Sequence, residues 1–157
     1  MNDIAIKRLR EKAILPAYAT AQSAGADLCA CLDEPLDIPP HETVMIPLGF
    51  SMAIPAGWAG LIFARSGLAS KRDLAPANKV GVVDADYRGE WWVPLHNHGA
   101  QTRTVEPGER IAQLLLVPCM RAVFCEVEQL DETERGAGGF GSTGRAWLQK
   151  AEEAQRL

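Results

Sequence analysis

Apolar residues in this chain recur at every second position far more often than at helical spacing. Val44, Ile46, Leu48, Phe50, Met52 and Ile54 fall on one face of an extended segment, because side chains alternate across a strand. Pro39-Pro40 precedes that run and Pro55-Ala56-Gly57 ends it, both turn signals. Trp58, Gly60, Ile62 and Ala64 carry the alternation into a following strand, and Ile4, Ile6 and Leu9 open the chain with a shorter apolar segment. Gln101 to Val105 reads as another strand. Glu106-Pro107-Gly108-Glu109 then turns the chain into Ile111 to Val117, and Val123, Cys125 and Val127 alternate in a last strand. Short strands punctuated by Gly and Pro predict an all-β sandwich or barrel-like domain rather than alternating βαβ units.

Only two stretches suit a helix. Ser66 to Leu74 is one, with Ser66 or Ser70 as its cap. The tail from Arg145 to Leu157 is the other, with Trp147, Leu148 and Ala151 close to one face. Between the last strand and this tail lies RGAGGFGSTG at 135–144, where five glycines in ten residues make a mobile arm rather than a core element. The expected organisation is a β-domain over 1–130, followed by an arm and helical tail over 131–157. At the centre, Val80, Val82 and Val83 lead into Asp84 and Asp86. Tyr87 and Gly89 then turn the chain before the apolar run Trp91 to Leu95, which reads as a hairpin bent at Gly89.

Composition narrows the function. A chain of 157 residues, 47% apolar and 23% charged, has enough apolar surface for one folded domain and is not a disordered segment. A net charge of -4 argues against a nucleic-acid duplex or an anionic membrane as the main partner. With neither a signal-peptide core nor a membrane-length apolar run, the expected location is cytoplasmic. The four cysteines (Cys29, Cys31, Cys119, Cys125) lack zinc-site spacing and read as free core thiols. His96-Asn97-His98 places two imidazoles on one strand face with no evident third ligand, so these and His41 read as structural or solvent-facing.

Several short stretches have the makings of an anion and base site. The mouth of the central hairpin offers backbone amides and carbonyls to the edge of a flat polar base, with Asp84 in reach. Arg65-Ser66-Gly67 ends a strand with a cation, a hydroxyl and free amides. Ala24-Gly25-Ala26-Asp27-Leu28 sets a carboxylate among small residues, and Gly108 to Gln113 turns into a strand carrying a Gln. The arm contains a literal GxGxxG at 136–141, but no βαβ unit surrounds it, so it is not a dinucleotide fingerprint. It does combine Arg135 for charge, Phe140 for stacking, and Ser142 and Thr143 as donors, the parts of a ligand-ordered lid.

In this order and spacing, AGADL at 24–28, ARSGLA at 64–69, NKVGVVDADYRGE at 78–90, GERIAQL at 108–114 and RGAGGFGSTG at 135–144 make the chain resemble the trimeric deoxyuridine triphosphatase (dUTPase) family. The resemblance runs from about residue 4 to 144. It implies a jelly-roll-like β-barrel with one short helix, in a homotrimer that builds three shared active sites. It further implies hydrolysis of dUTP to dUMP and pyrophosphate with Mg²⁺. Asn78 and the backbone at Gly81 and Val83 are expected to read uracil, and Tyr87 to pack under the deoxyribose and exclude a 2′-hydroxyl. Asp84 is expected to orient the attacking water, with Gln113 and Asp27 supporting catalysis. Arg65, Ser66, Gly67 and Gln113 are expected to hold phosphates. Arg135, Phe140, Gly141, Ser142 and Thr143 would come from a neighbour's arm. The metal would have no direct protein ligand, being held by substrate phosphates and water, with Asp27 acting through water. Trp91-Trp92 is bulky for its position: either indole packs near the sugar, for which Trp92 is the candidate, or both lie in the trimer core. A deoxycytidine triphosphate deaminase shares the expected fold, but it carries Arg-Ser-Ser where this chain has Gly67, and a Glu in the hairpin where this chain has Asp84.

Overall fold

The computed structural model describes residues 3–139. The tail helix expected over 145–157, and with it Phe140, Gly141, Ser142 and Thr143, therefore lies outside the described residues. The chain divides into two compact units, residues 1–121 and 122–157.

The first unit is built from eleven strands and one seven-residue helix among the described residues. In chain order these are β1 (Ile6–Arg8), β2 (Ala26–Cys29), β3 (Leu36–Ile38), β4 (Thr43–Pro47), β5 (Phe50–Met52), β6 (Trp58–Ala64), α1 (Ser66–Arg72), β7 (Leu74–Pro76), β8 (Val80–Val83), β9 (Trp92–Asn97), β10 (Arg103–Val105) and β11 (Arg110–Pro118). A four-stranded sheet runs β2-β11-β6-β8 and a three-stranded sheet runs β4-β9-β7, while β1 pairs with β5 and β3 with β10. This is the all-β architecture with one short helix that the alternation predicts.

Register shows how the larger sheet is used. Ala26, Leu114, Ile62 and Gly81 form one row across its four strands, and all four are buried. The adjacent row of Asp27, Gln113, Phe63 and Val80 points the other way and is only partly covered. Inward rows from this sheet meet Ile46, Val93, Leu95 and Leu74 of the three-stranded sheet in a single core. Trp91 completes that core, its ring centroid 5.5 Å from that of Phe50. A Cβ on Gly60 would stand 3.2 Å from the Trp91 ring, so β6 must stay bare where the indole lies on it. Asn97, also fully buried, is satisfied in full. It donates to the Ile38 and Gln101 carbonyls at 2.9 and 2.8 Å and accepts from the Gly99 amide at 2.9 Å.

Four expectations change. The run from Val44 to Ile54 is not one strand: Gly49 (φ 76°) breaks it into β4 and β5, which pair with β9 and β1. Every second side chain still reaches the core, which is why periodicity alone hides the break. The central segment is not a hairpin either. β8 pairs with β6 whereas β9 pairs with β4 and β7, so residues 84–91 carry the chain from one sheet to the other. The helix begins after Arg65, which supplies no side-chain cap, and Ser70 instead donates from its hydroxyl to the Ser66 carbonyl at 2.7 Å. Trp91 lies in the core of its own unit and Trp92 is half exposed, so they do not act as a pair.

In the second unit the alternating residues Val123, Cys125 and Val127 form no strand among the described residues. Val123, Phe124 and Leu130 are 89%, 95% and 77% exposed. A strand needs a hydrogen-bonding neighbour, and this segment pairs with none among the described residues. Cys119 and Cys125 are likewise exposed, unlike Cys29 and Cys31, so only the latter two are core thiols. Further on, the Gly136 amide donates to the Thr133 carbonyl at 3.0 Å and the Arg135 Nε to the Gly138 carbonyl at 2.9 Å, folding 133–138 into consecutive turns.

Candidate active site

The expected site residues of the first unit are strung along β6: Asp27, Arg65, Ser66, Gly67 and Gln113 at its C-terminal end, Asn78, Gly81 and Val83 just before and along the neighbouring β8, and Asp84 and Tyr87 beyond its N-terminal end. At its C-terminal end, Asp27 on β2 lies across from Gln113 on β11. The Asp27 carboxylate is clamped between two guanidiniums, Arg65 Nε to Oδ1 at 2.9 Å and Arg110 Nη1 to Oδ2 at 3.0 Å. Arg65 also donates to the Arg110 carbonyl at 3.2 Å, and Gln113 Nε2 to the Ala64 carbonyl at 2.9 Å. Gly25 lies against this Gln, where a Cβ would come within 2.6 Å of Oε1. Ser66 and Gly67 follow immediately, both exposed at the start of α1, with open space over Gly67. Two arginines share one carboxylate, which leaves a cationic excess beside free amides: a site for an anion.

Beside β6 runs β8, and beyond the other end of β6 lies the crossover loop. Asn78 precedes β8 and folds its amide over Gly81, where a Cβ would meet Asn78 Nδ2 at 3.2 Å and Ile62 Cβ at 3.2 Å. Gly81 itself is buried between them, while β8, paired only with β6 among the described residues, keeps one backbone edge free. Asp84 closes a turn, its carbonyl accepting from the Tyr87 amide at 3.2 Å, and its carboxylate makes no side-chain hydrogen bond among the described residues. The Tyr87 ring lies over Gly89, whose Cβ would stand 2.5 Å from the phenolic oxygen, and that hydroxyl donates to the Glu90 carbonyl at 2.9 Å. The loop is laced further by Arg88, which donates to the Ala85 and Tyr87 carbonyls at 2.7 and 2.9 Å.

One chain does not bring these groups together. Val83 pairs with Gly60, so Asp84 lies level with Ala59, whereas Arg65 is six residues further along the same strand. At ~3.3 Å per residue that is a separation of roughly 20 Å. The apolar groove of about 620 Å³ on this unit is lined by Ile4, Ile6, Leu15, Tyr18, Met52 and Trp58 among others, and by no expected site residue. Two charged residues escaped the sequence reading. Arg110 lies inside GERIAQL but was passed over for Gln113, and Arg10, 80 residues from its partner Glu90, carries no local signal at all.

An all-β domain with a cationic cluster at one end of a sheet and an exposed carboxylate on a loop beyond the other has the parts of a small phosphorylated-ligand protein. The comparisons specify the kind. The dUTPase family model matches residues 11–144. A deoxyuridine 5'-triphosphate nucleotidohydrolase of Acinetobacter baumannii is 50% identical over 139 residues, 88% of this chain and 93% of the relative. One from Syntrophotalea carbinolica is 48% identical over 141 residues, 90% and 96% of the two chains. Among solved structures, a Staphylococcus bacteriophage 80alpha dUTPase variant with dUpNHpp superposes with a TM-score of 0.85 at 28% identity, covering 92% of this chain and all of that one. The chain belongs to the dUTPase family, the dUTP diphosphatases.

Proposed function

We propose that the chain hydrolyses dUTP to dUMP and pyrophosphate at sites shared between the subunits of a homotrimer. The observation that carries the shared site is the separation along β6. A water activated by Asp84 must reach the α-phosphorus while Arg65, Ser66, Gly67 and Gln113 hold the same triphosphate. Roughly 20 Å between those groups, at ~3.3 Å per residue, is more than one triphosphate spans. Two copies that set the crossover loop of one beside the Arg65 end of the other close that gap. An uncovered surface supports association. Leu115, Leu61 and Val82 form an outward row of the large sheet, with Phe63 and Val80 in the next, and Val82 is 65% exposed. A sheet face this apolar favours a protein partner over water. Segment 123–127, which pairs with no strand among the described residues, offers a further strand to a neighbour.

The reading assigns each residue a task. Asn78 and the backbone at Gly81 and Val83 hydrogen-bond the uracil edge, leaving buried groups unpaired when cytosine enters. Tyr87 packs under the sugar. Asp84 holds the attacking water in line, so positioning and charge neutralisation supply most of the acceleration, since a carboxylate is a weak base near neutral pH. Arg65 and Arg110 face the phosphates. Arg135, Phe140, Gly141, Ser142 and Thr143 close over the nucleotide from a neighbouring subunit's arm, and Trp92 borders the loop.

The metal fits only as part of the substrate. Among the described residues no cluster of three His, Cys, Asp or Glu is arranged to hold an ion, and both Asp27 oxygens are already engaged by guanidiniums. Phosphate oxygens and water would therefore carry Mg²⁺, with Asp27 reached through water, and the ion would supply charge neutralisation on the leaving pyrophosphate. Pyrophosphate release from a panel of deoxynucleoside triphosphates tests the whole reading. Release from dUTP alone is expected; equal release from dCTP or dTTP, or ammonia from dCTP, would contradict it.

A further inference from the structure

The crossover loop is held at its far end by a contact that the proposed chemistry does not use. Arg10 grips Glu90 with two parallel bonds, Nε to Oε1 at 2.6 Å and Nη2 to Oε2 at 2.9 Å. Its guanidinium carbon lies 5.3 Å from the ring centroid of Trp92, so the same cation covers an aromatic face. Arg10 is itself anchored: its amide and that of Leu9 both donate to the Gly49 carbonyl, at 3.1 and 2.8 Å. Gly49 cannot be replaced without strain, because its φ is 76° and a Cβ would stand 2.6 Å from Ala13 and 2.7 Å from the Cys31 sulfur. The N-terminal segment thus presents Arg10 from a fixed point.

Glu90 is the residue on which Tyr87 rests. Its carbonyl accepts the Tyr87 hydroxyl at 2.9 Å, while its carboxylate takes the Arg10 fork. The next residue, Trp91, is locked by its amide to the Phe50 carbonyl and by its carbonyl to the Leu48 amide, both at 2.9 Å. Between that lock and the Asp84 turn, the only long-range side-chain hydrogen bond on the loop among the described residues is Arg10 to Glu90, 80 residues apart. An ion pair this exposed contributes little to overall stability. A planar, two-bond grip does fix orientation, which is where a guanidinium differs from a point charge.

We propose that Arg10, acting through Glu90, is a positioning residue for Tyr87 and hence a determinant of the preference for deoxyribose over ribose. This rests on the reading of Tyr87 as the surface under the sugar. A ring free to tilt leaves room for a 2′-hydroxyl and grips the deoxyribose less well. Discrimination of this kind falls steeply when a packing surface is displaced by a fraction of an ångström.

The test compares kcat and KM for dUTP and UTP in wild type, Arg10→Met, Arg10→Lys, Glu90→Gln, the Arg10→Met/Glu90→Gln double variant and Tyr87→Ala, with Tm for each. Arg10→Met and Glu90→Gln are each expected to lower the dUTP-over-UTP ratio of kcat/KM about tenfold, chiefly by raising KM for dUTP. The double variant should do no worse than either single one, because both remove the same contact. Arg10→Lys should recover part of the preference, and Tm should stay within a degree or two of wild type. If Tyr87→Ala collapses the preference while Arg10→Met leaves it intact, the clamp is wrong and the reading of Tyr87 stands. If Tyr87→Ala itself leaves the preference intact, both fall together. A loss that tracks Tm across the variants, without recovery in Arg10→Lys, would also overturn the proposal by making the pair structural.

Discussion

The two ends of β6 solve different problems. At the Arg65 end, charge is partly balanced within the chain: Asp27 sits between Arg65 and Arg110, leaving one positive charge in excess, and Gln113 is tied to the Ala64 carbonyl. At the loop end, the backbone is braced by Tyr87, Arg88 and Arg10, yet the Asp84 carboxylate itself stays exposed and ungripped among the described residues. The contrast matches the two proposed tasks. A group that binds phosphates must keep its cations together before the ligand arrives, and a carboxylate keeps them from repelling each other. A group that orients water must keep its lone pairs free.

The largest test of that contrast strikes the free carboxylate. Asp84→Asn keeps the shape and removes the charge, so turnover should fall about 10²- to 10⁴-fold with dUTP affinity retained. Near-normal turnover, measured as pyrophosphate release, would take Asp84 out of the mechanism. Deleting residues 135–157 should come next, leaving a folded trimer that turns over roughly 10²-fold more slowly, because the lid that orients the nucleotide is gone. An unchanged rate would remove the arm from the site. Asp27→Asn strikes the other end and should behave differently. With two guanidiniums left facing one another, KM should rise about tenfold while kcat changes little. A kcat loss equal to that of Asp84→Asn would erase the distinction between the two ends.

The smallest effect lies outside both and calibrates them. Slight desolvation and the neighbouring His96 hold the His98 imidazole below its ordinary value of 6.5. The unfolded chain therefore takes up a proton first as pH falls, so the contribution of neutral His98 is present above about 6.5 and is lost below it. Because the ring is exposed, the effect is slight: Tm of wild type should drop marginally more than that of His98→Gln between pH 7 and 5.5, with no change in the dUTP-over-UTP preference. Parallel Tm curves would show that His98 carries no such linkage.

How much of this was legible depended on whether the signal was local. The alternation from Val44 to Ile54 marked core-facing positions correctly, because burial obeys the same period on both sides of Gly49. It could not show the switch of sheet, since a positive φ leaves no trace in hydrophobicity. The valines before Asp84 and the apolar run after Gly89 read as a hairpin because sequence neighbours are the default pairing partners. The loop between them is long enough to cross sheets, and only long-range register reveals that. Ser66, Gly67 and Asn78 were singled out as candidates through short motifs. Arg110 was visible inside one of those motifs, and the unpaired charge of Asp27, which needs a counter-ion, was the signal that pointed to it. Arg10 was beyond reach, because its role is defined by Glu90 on the far side of the fold.

The central claim is that one working site takes Asp84 and Arg65 from different copies of the chain. The direct measurement mixes two variants, Asp84→Asn and Arg65→Gln, each nearly inactive alone, by unfolding and refolding them together in equal amounts. Shared sites predict recovery to roughly a quarter of the wild-type rate, since that share of sites would pair an intact Asp84 with an intact Arg65. A refolded mixture no more active than its two components, with exchange of subunits demonstrated, would place both residues in a single chain's site and contradict the account.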